Sequence, residues 1–169
     1  MSRYVAMAVV VTAAAAWTAC GGASTPVPVA GTATDLAALA GEWSGEYSSS
    51  ETGRSGSIVF RLKAGTDSAT GDVVMSVPTW TRRDVPGEMP PPGGQGPVPQ
   101  VLAISFVRVE GGRVSGRLAP YTDPVCGCTL LTLFEGALKG ETLEGTYSSR
   151  HSATGEVQRG RWAVTRQRS

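Results

Sequence analysis

The chain has 169 residues, enough for one domain, with 15 basic against 14 acidic side chains and a formal net charge of +1. These charges are scattered, so the basic footprint that nucleic-acid binding requires is missing. Three cysteines, a single histidine and the lack of any asparagine narrow the chemistry that the side chains can supply.

Residues 1–19 read as an export signal: Arg3 gives a basic start, and Tyr4 to Trp17 form an apolar, Ala-rich stretch too short for a membrane span. The stretch closes Trp17-Thr18-Ala19-Cys20, which resembles the bacterial lipobox, departing from it at Trp17 where an aliphatic residue is usual. The resemblance implies cleavage before Cys20, acylation of its thiol, and attachment to a membrane of the cell envelope. By the same resemblance, the absence of Asp after Cys20 implies the outer membrane, facing the periplasm. Two or three acyl chains make such an anchor effectively permanent, since each buried CH₂ contributes about 0.8 kcal/mol. Residues 20–40, rich in Gly, Ala, Pro and Thr, read as the lipidated cysteine followed by a flexible tether, with Pro26 and Pro28 favouring extended geometry and a turn of helix near 35–40.

From residue 41 the pattern changes. Gly41-Glu42-Trp43-Ser44-Gly45-Glu46-Tyr47 alternates with a period of two, which predicts a strand with Trp43 and Tyr47 on its buried face. Leu143-Glu144-Gly145-Thr146-Tyr147 repeats the design near the chain end. Alternating runs separated by Gly- and Ser-rich turns predict eight strands, at about 41–50, 56–63, 71–78, 100–109, 113–119, 128–138, 142–149 and 156–167. The inward rows align Ile58, Phe60 and Leu62; Val73, Met75 and Val77; Leu102, Ile104 and Phe106; Val114, Gly116 and Leu118; Leu130, Thr132 and Phe134; and Gly160, Trp162 and Val164. A Pro- and Gly-rich loop at 79–99, carrying Trp80, Arg82-Arg83 and Met89, interrupts the series and reads as disordered or as a loosely packed flap, ahead of a working lid.

Short turns between successive strands favour sequential antiparallel pairing. The expected fold of 41–169 is therefore all-β, a single eight-stranded antiparallel up-and-down barrel, with a two-sheet sandwich as the alternative. Gly41-Glu42-Trp43 resembles the Gly-x-Trp that opens the first strand in the calycin group, which includes lipocalins and avidin-like barrels. The resemblance implies that Trp43 packs under an arginine from near the chain end, Arg161 or Arg166. No helix follows the last strand and no asparagine is available to grip biotin, so the architecture carries over and the ligand does not.

Cys126-Gly127-Cys128 is the sharpest local feature. In an extended segment the two Cα atoms would lie about 6–7 Å apart, at the limit for a disulfide. An exported chain meets an oxidising compartment, and with Cys20 acylated these two thiols have only each other. A zinc site would need His151 and Asp123 as further ligands. His151 sits in a polar turn and reads as a solvated residue; no nucleophile elbow or phosphate-binding loop occurs, and Glu42, Glu46, Glu135 and Glu144 fall on wet faces. No catalytic residue, metal site or cofactor is expected. The inward aromatics Trp43, Tyr47, Phe60, Phe106, Phe134, Tyr147 and Trp162, with Trp80 from the loop, would line any ligand site. Two readings follow: a barrel that binds a small apolar molecule, and a packed barrel that acts as a structural or interaction module. In the first, pairing of the first and last strands would bring Trp43 and Trp162 together.

Overall fold

The structure is a computed structural model that describes residues 25–76 and 99–168. The export signal with Cys20, and the loop residues Trp80 and Met89, lie outside the described residues. Ten strands and one short helix are present among them: β1 (Val27–Ala30), α1 (Ala33–Leu39), β2 (Gly41–Ser48), β3 (Ser55–Leu62), β4 (Ser68–Ser76), β5 (Gln100–Glu110), β6 (Arg113–Leu118), β7 (Tyr121–Thr122), β8 (Thr129–Lys139), β9 (Thr142–His151) and β10 (Val157–Arg166).

The sheet closes on itself. β2 pairs with β3 on one side and β10 on the other, and β6 pairs with β8, so β2–β3–β4–β5–β6–β8–β9–β10 form an antiparallel ring. The eight expected strands are these eight, with ends shifted by up to three residues. Two strands were not anticipated. The two-residue β7 lies outside the ring against β8. β1 wedges between β4 and β5, antiparallel to the first and parallel to the second, and makes the barrel mixed.

β1 corrects the reading of 20–40 as a free tether, since the chain joins the barrel from Val27 onward, and α1 is a longer form of the helical turn expected near 35–40. Direct β4–β5 pairing covers only Asp72–Met75 against Gln100–Ala103. Beyond it the two strands part, and β1 fills the opening, with Val27 and Val29 fully and nearly fully buried. Thr32 then caps α1: its Oγ1 accepts from Asp35 N at 3.2 Å, and its hydroxyl donates to the Asp35 carboxylate at 2.8 Å. Asp35 also accepts from Gly111 N in the β5–β6 turn, at 3.0 Å. That contact ties the helix to the barrel, and Leu39 enters the core at 1% exposure.

Most inward rows match the sequence pattern; one does not. The register slips between Ile104 and Phe106, where β5 bulges against β6. A bulge reverses the parity of everything beyond it. Val107 and Val109 therefore face the core, and Phe106 turns outward, half-buried, with the Arg117 guanidinium 5.7 Å from its ring centre. Phe106 is thus removed from the set of inward aromatics.

Candidate functional site

The barrel has two unlike ends. At the first, α1 lies across the opening, and its exposed carbonyls need partners. Trp43 Nε1 donates to Leu39 O at 2.8 Å. Arg166 donates to Ala38 O at 2.7 Å and to Ala40 O, and its Nε pairs with Glu141 at 2.9 Å. The Arg166 guanidinium lies 4.4 Å from the centre of the Trp43 ring, a cation–π contact over a tryptophan with no exposed surface. Of the two arginines expected over Trp43, the register selects Arg166, directly opposite it on β10.

The same register corrects the expected meeting of two indoles. β2 and β10 do pair, but Trp162 lies opposite Tyr47, four positions from Trp43 and about 13 Å away along the strands. Trp162 instead stacks edge-on against Phe134, ring centres 5.9 Å apart, and its indole donates to Thr146 O at 3.1 Å.

Rings from neighbouring strands cover glycines on the inward rows. Gly56, opposite Tyr47, has the tyrosine ring where a Cβ would be, 2.8 Å from its Cε1; Gly160, opposite Tyr147, is covered in the same way. The two tyrosines meet edge-to-face at 5.7 Å. What remains is an apolar cavity of about 100 Å³, bordered by Trp43, Phe60, Met75, Leu102, Phe134 and Trp162.

At its second end this cavity meets polar side chains. Arg54, from the β2–β3 turn, forms an ion pair with Asp123, donating to its Oδ1 at 2.8 Å; the two side chains are 11% and 1% exposed. Asp123 also accepts from Val125 N at 2.8 Å, holding the turn that contains the cysteines. Thr132 and Ser149, both buried, share a hydrogen bond of 2.7 Å. Among the described residues, Tyr47 Oη and Arg54 Nε are buried without a hydrogen-bond or ion-pair partner; Asp123 Oδ2 and Arg166 Nε, which also lack hydrogen bonds, have the ion pairs with Arg54 and Glu141. Burial pushes the Tyr47 phenol well above the usual tyrosine range, helped by Tyr147 and Tyr121 and opposed by Arg54; burial raises Tyr147 as well.

Cys126 and Cys128 are joined by a disulfide, with Cα atoms 5.1 Å apart. The segment is a turn and not the extended run expected: Gly127 adopts φ +63°, and its N–H donates to Asp123 O. His151 comes close, with a ring nitrogen and both sulfurs within 4.8 Å of one another. Its Nδ1 accepts from Ala153 N and Thr154 N at 3.2 and 3.1 Å, closing the β9–β10 turn. Sulfurs bound to each other present no thiolate to a cation, and Asp123 faces away toward Arg54, so these residues do not form the ligand set considered from sequence.

Of the expected lining residues, Trp43, Tyr47, Phe60, Tyr147 and Trp162 face the cavity, Phe106 does not, and Trp80 lies outside the described residues. Arg54 and Tyr121, which also border the cavity, were missed, as was the pairing of Arg54 with Asp123. Arg54 and Asp123 are 69 positions apart in turns, and no periodic signal marks them. Comparison of the chain with family models, curated proteins and solved structures gave no match.

Proposed function

We propose that this protein is a lipid-anchored component of the bacterial envelope whose calycin-like barrel binds a small apolar molecule without catalysing a reaction. The carrying observation is the apolar cavity of about 100 Å³, closed at one end by α1 and Trp43 and edged at the other by Tyr47 and Arg54. An apolar cavity of about 150 Å³ is known to stay dry and take benzene, so a space of this size suits a single small ring or a short branched chain. The packing of Arg166 over Trp43 supports the calycin-like reading, and the Trp17-Thr18-Ala19-Cys20 motif supports the anchor. With β1 starting at Val27, the tether would shorten to the residues between Cys20 and that strand, holding the barrel close to the membrane that faces the periplasm.

A second reading, an interaction module acting through its outer wall, is favoured by one feature. Leu131 and Leu133 are 45% and 60% exposed on β8, opposite Arg150 of β9 and Arg117 of β6. Solvent-facing leucines between arginines suit a partner with an apolar, acidic surface.

Titration of the full-length protein with small cyclic and branched hydrocarbons, followed by tryptophan emission and melting temperature, separates the two. Binding should give saturable changes in both, with about 2.7 kcal/mol of stabilisation at a hundredfold excess over Kd. No response to any compound would leave the outer-wall reading. Labelling with a palmitate analogue tests the anchor: Cys20→Ser should abolish the label, and an unlabelled wild type would exclude it.

A further inference from the structure

We propose that the cavity selects small apolar molecules carrying one uncharged oxygen acceptor, such as a ketone, aldehyde or ester, which receives hydrogen bonds from Tyr47 Oη and Arg54 Nε. This rests on the binding reading above and adds the polarity of the ligand. Tyr47 is 9% exposed, its hydroxyl has no partner among the described residues, and the residue borders the cavity. Arg54 borders the same cavity; its terminal nitrogens reach Asp123 and Gln158, while its Nε–H is buried and free. Buried donors without acceptors are costly and rare, and two on one cavity wall mark a place where something else accepts.

Several other polar groups at that end are engaged. Thr132 and Ser149 bond to each other, and the Asp123 carboxylate is held by Arg54 and by Val125 N. Burial keeps the Tyr47 hydroxyl protonated and therefore a donor. The wall thus offers hydrogen and asks for an oxygen lone pair. The charge of that oxygen is decided by the Arg54–Asp123 pair. Arg54 is already neutralised, so a carboxylate ligand would leave a net negative charge in an apolar enclosure, which is strongly unfavourable. An uncharged carbonyl meets both donors at no such cost. The volume, about 100 Å³, holds the apolar part to roughly one five- or six-membered ring.

The full-length protein is titrated with cyclopentanone, methylcyclopentane and cyclopentanecarboxylate, read by tryptophan emission and melting temperature. Relative to each probe's partition from water into alkane, cyclopentanone should bind at least tenfold better than methylcyclopentane. The carboxylate should bind more weakly than the ketone. Tyr47→Phe should weaken cyclopentanone about three- to tenfold and leave methylcyclopentane within twofold. Equal corrected affinities for ketone and hydrocarbon, meaning that water already satisfies the two donors, would overturn the proposal. So would tightest binding of the carboxylate, or a ketone preference that Tyr47→Phe leaves undiminished. Failure of all three probes would instead remove the binding reading itself. If Tyr47→Phe does not fold, the carbonyl stretch of cyclopentanone bound to the wild type decides. A band below its position in hydrocarbon solvent supports the donors, and an unshifted band contradicts them.

Discussion

At the helix-capped end of the barrel the last carbonyls of α1 have donors and Arg166 has an ion-pair partner, whereas at the opposite end two buried donors have no partner among the described residues. Trp43 and Arg166 complete the last carbonyls of α1, and Glu141 completes Arg166. Across the barrel, Arg54 and Asp123 form an ion pair, yet Tyr47 Oη and Arg54 Nε, on two residues that border the cavity, lack partners among the described residues. The first arrangement is one of closure: an indole buried under a cation, tied to a helix that a short strand has already fastened to the wall. The second is one of capacity, since a polar group left unsatisfied in an otherwise well-packed fold is retained where it has something to hold.

Substitutions at the two ends should therefore behave differently. Trp43→Ala should destabilise the fold by about 4 kcal/mol, because it opens a cavity and also strips a buried carbonyl of its donor. Urea unfolding measures this; a loss below about 1 kcal/mol would mean that the closed end is not a packed plug. Asp123→Ala should cost about 3 kcal/mol, since Arg54 would be left charged and buried. Replacing both residues together, as Arg54→Met with Asp123→Leu, should recover most of that loss while abolishing any ligand preference that depends on Arg54. At the helix start, Thr32→Ala should cost about 1 kcal/mol through the lost cap and should not change ligand affinity. A change in binding there would break the separation between the ends.

The pH dependence is set by the tyrosines. Tyr47 and Tyr147 titrate above their ordinary value when folded, so the unfolded chain releases their protons first as pH rises. Their neutral state leaves stability intact below about pH 10, and stability should fall as pH climbs from there toward the folded values. Tyr47→Phe should flatten that decline, which thermal melts between pH 8 and 11 can follow. An unchanged slope would mean that Tyr47 is not shielded from solvent.

Much of this was legible from alternation. The rows through Trp43 and Tyr47, Val73 and Met75, and Leu143 and Tyr147 are local signals, and they place eight strands because alternate side chains of a strand face opposite sides. β1 was hidden because Val27 and Val29 make only two alternations inside a Pro-rich stretch. Phe106 was misplaced because the bulge beside it arises from pairing with β6, which no property of β5 itself announces. The polar end was least visible: Arg54 and Asp123 come from separate turns, and only closure of the barrel brings them together.

The central claim is that the barrel encloses an accessible apolar space beside Tyr47 and Arg54. Xenon enters such spaces without needing a hydrogen bond. Crystals of the protein held under xenon pressure should show one ordered atom inside the barrel, bordered by Phe60, Met75, Leu102 and Trp162. An interior free of xenon, with those side chains in mutual contact, would contradict the account.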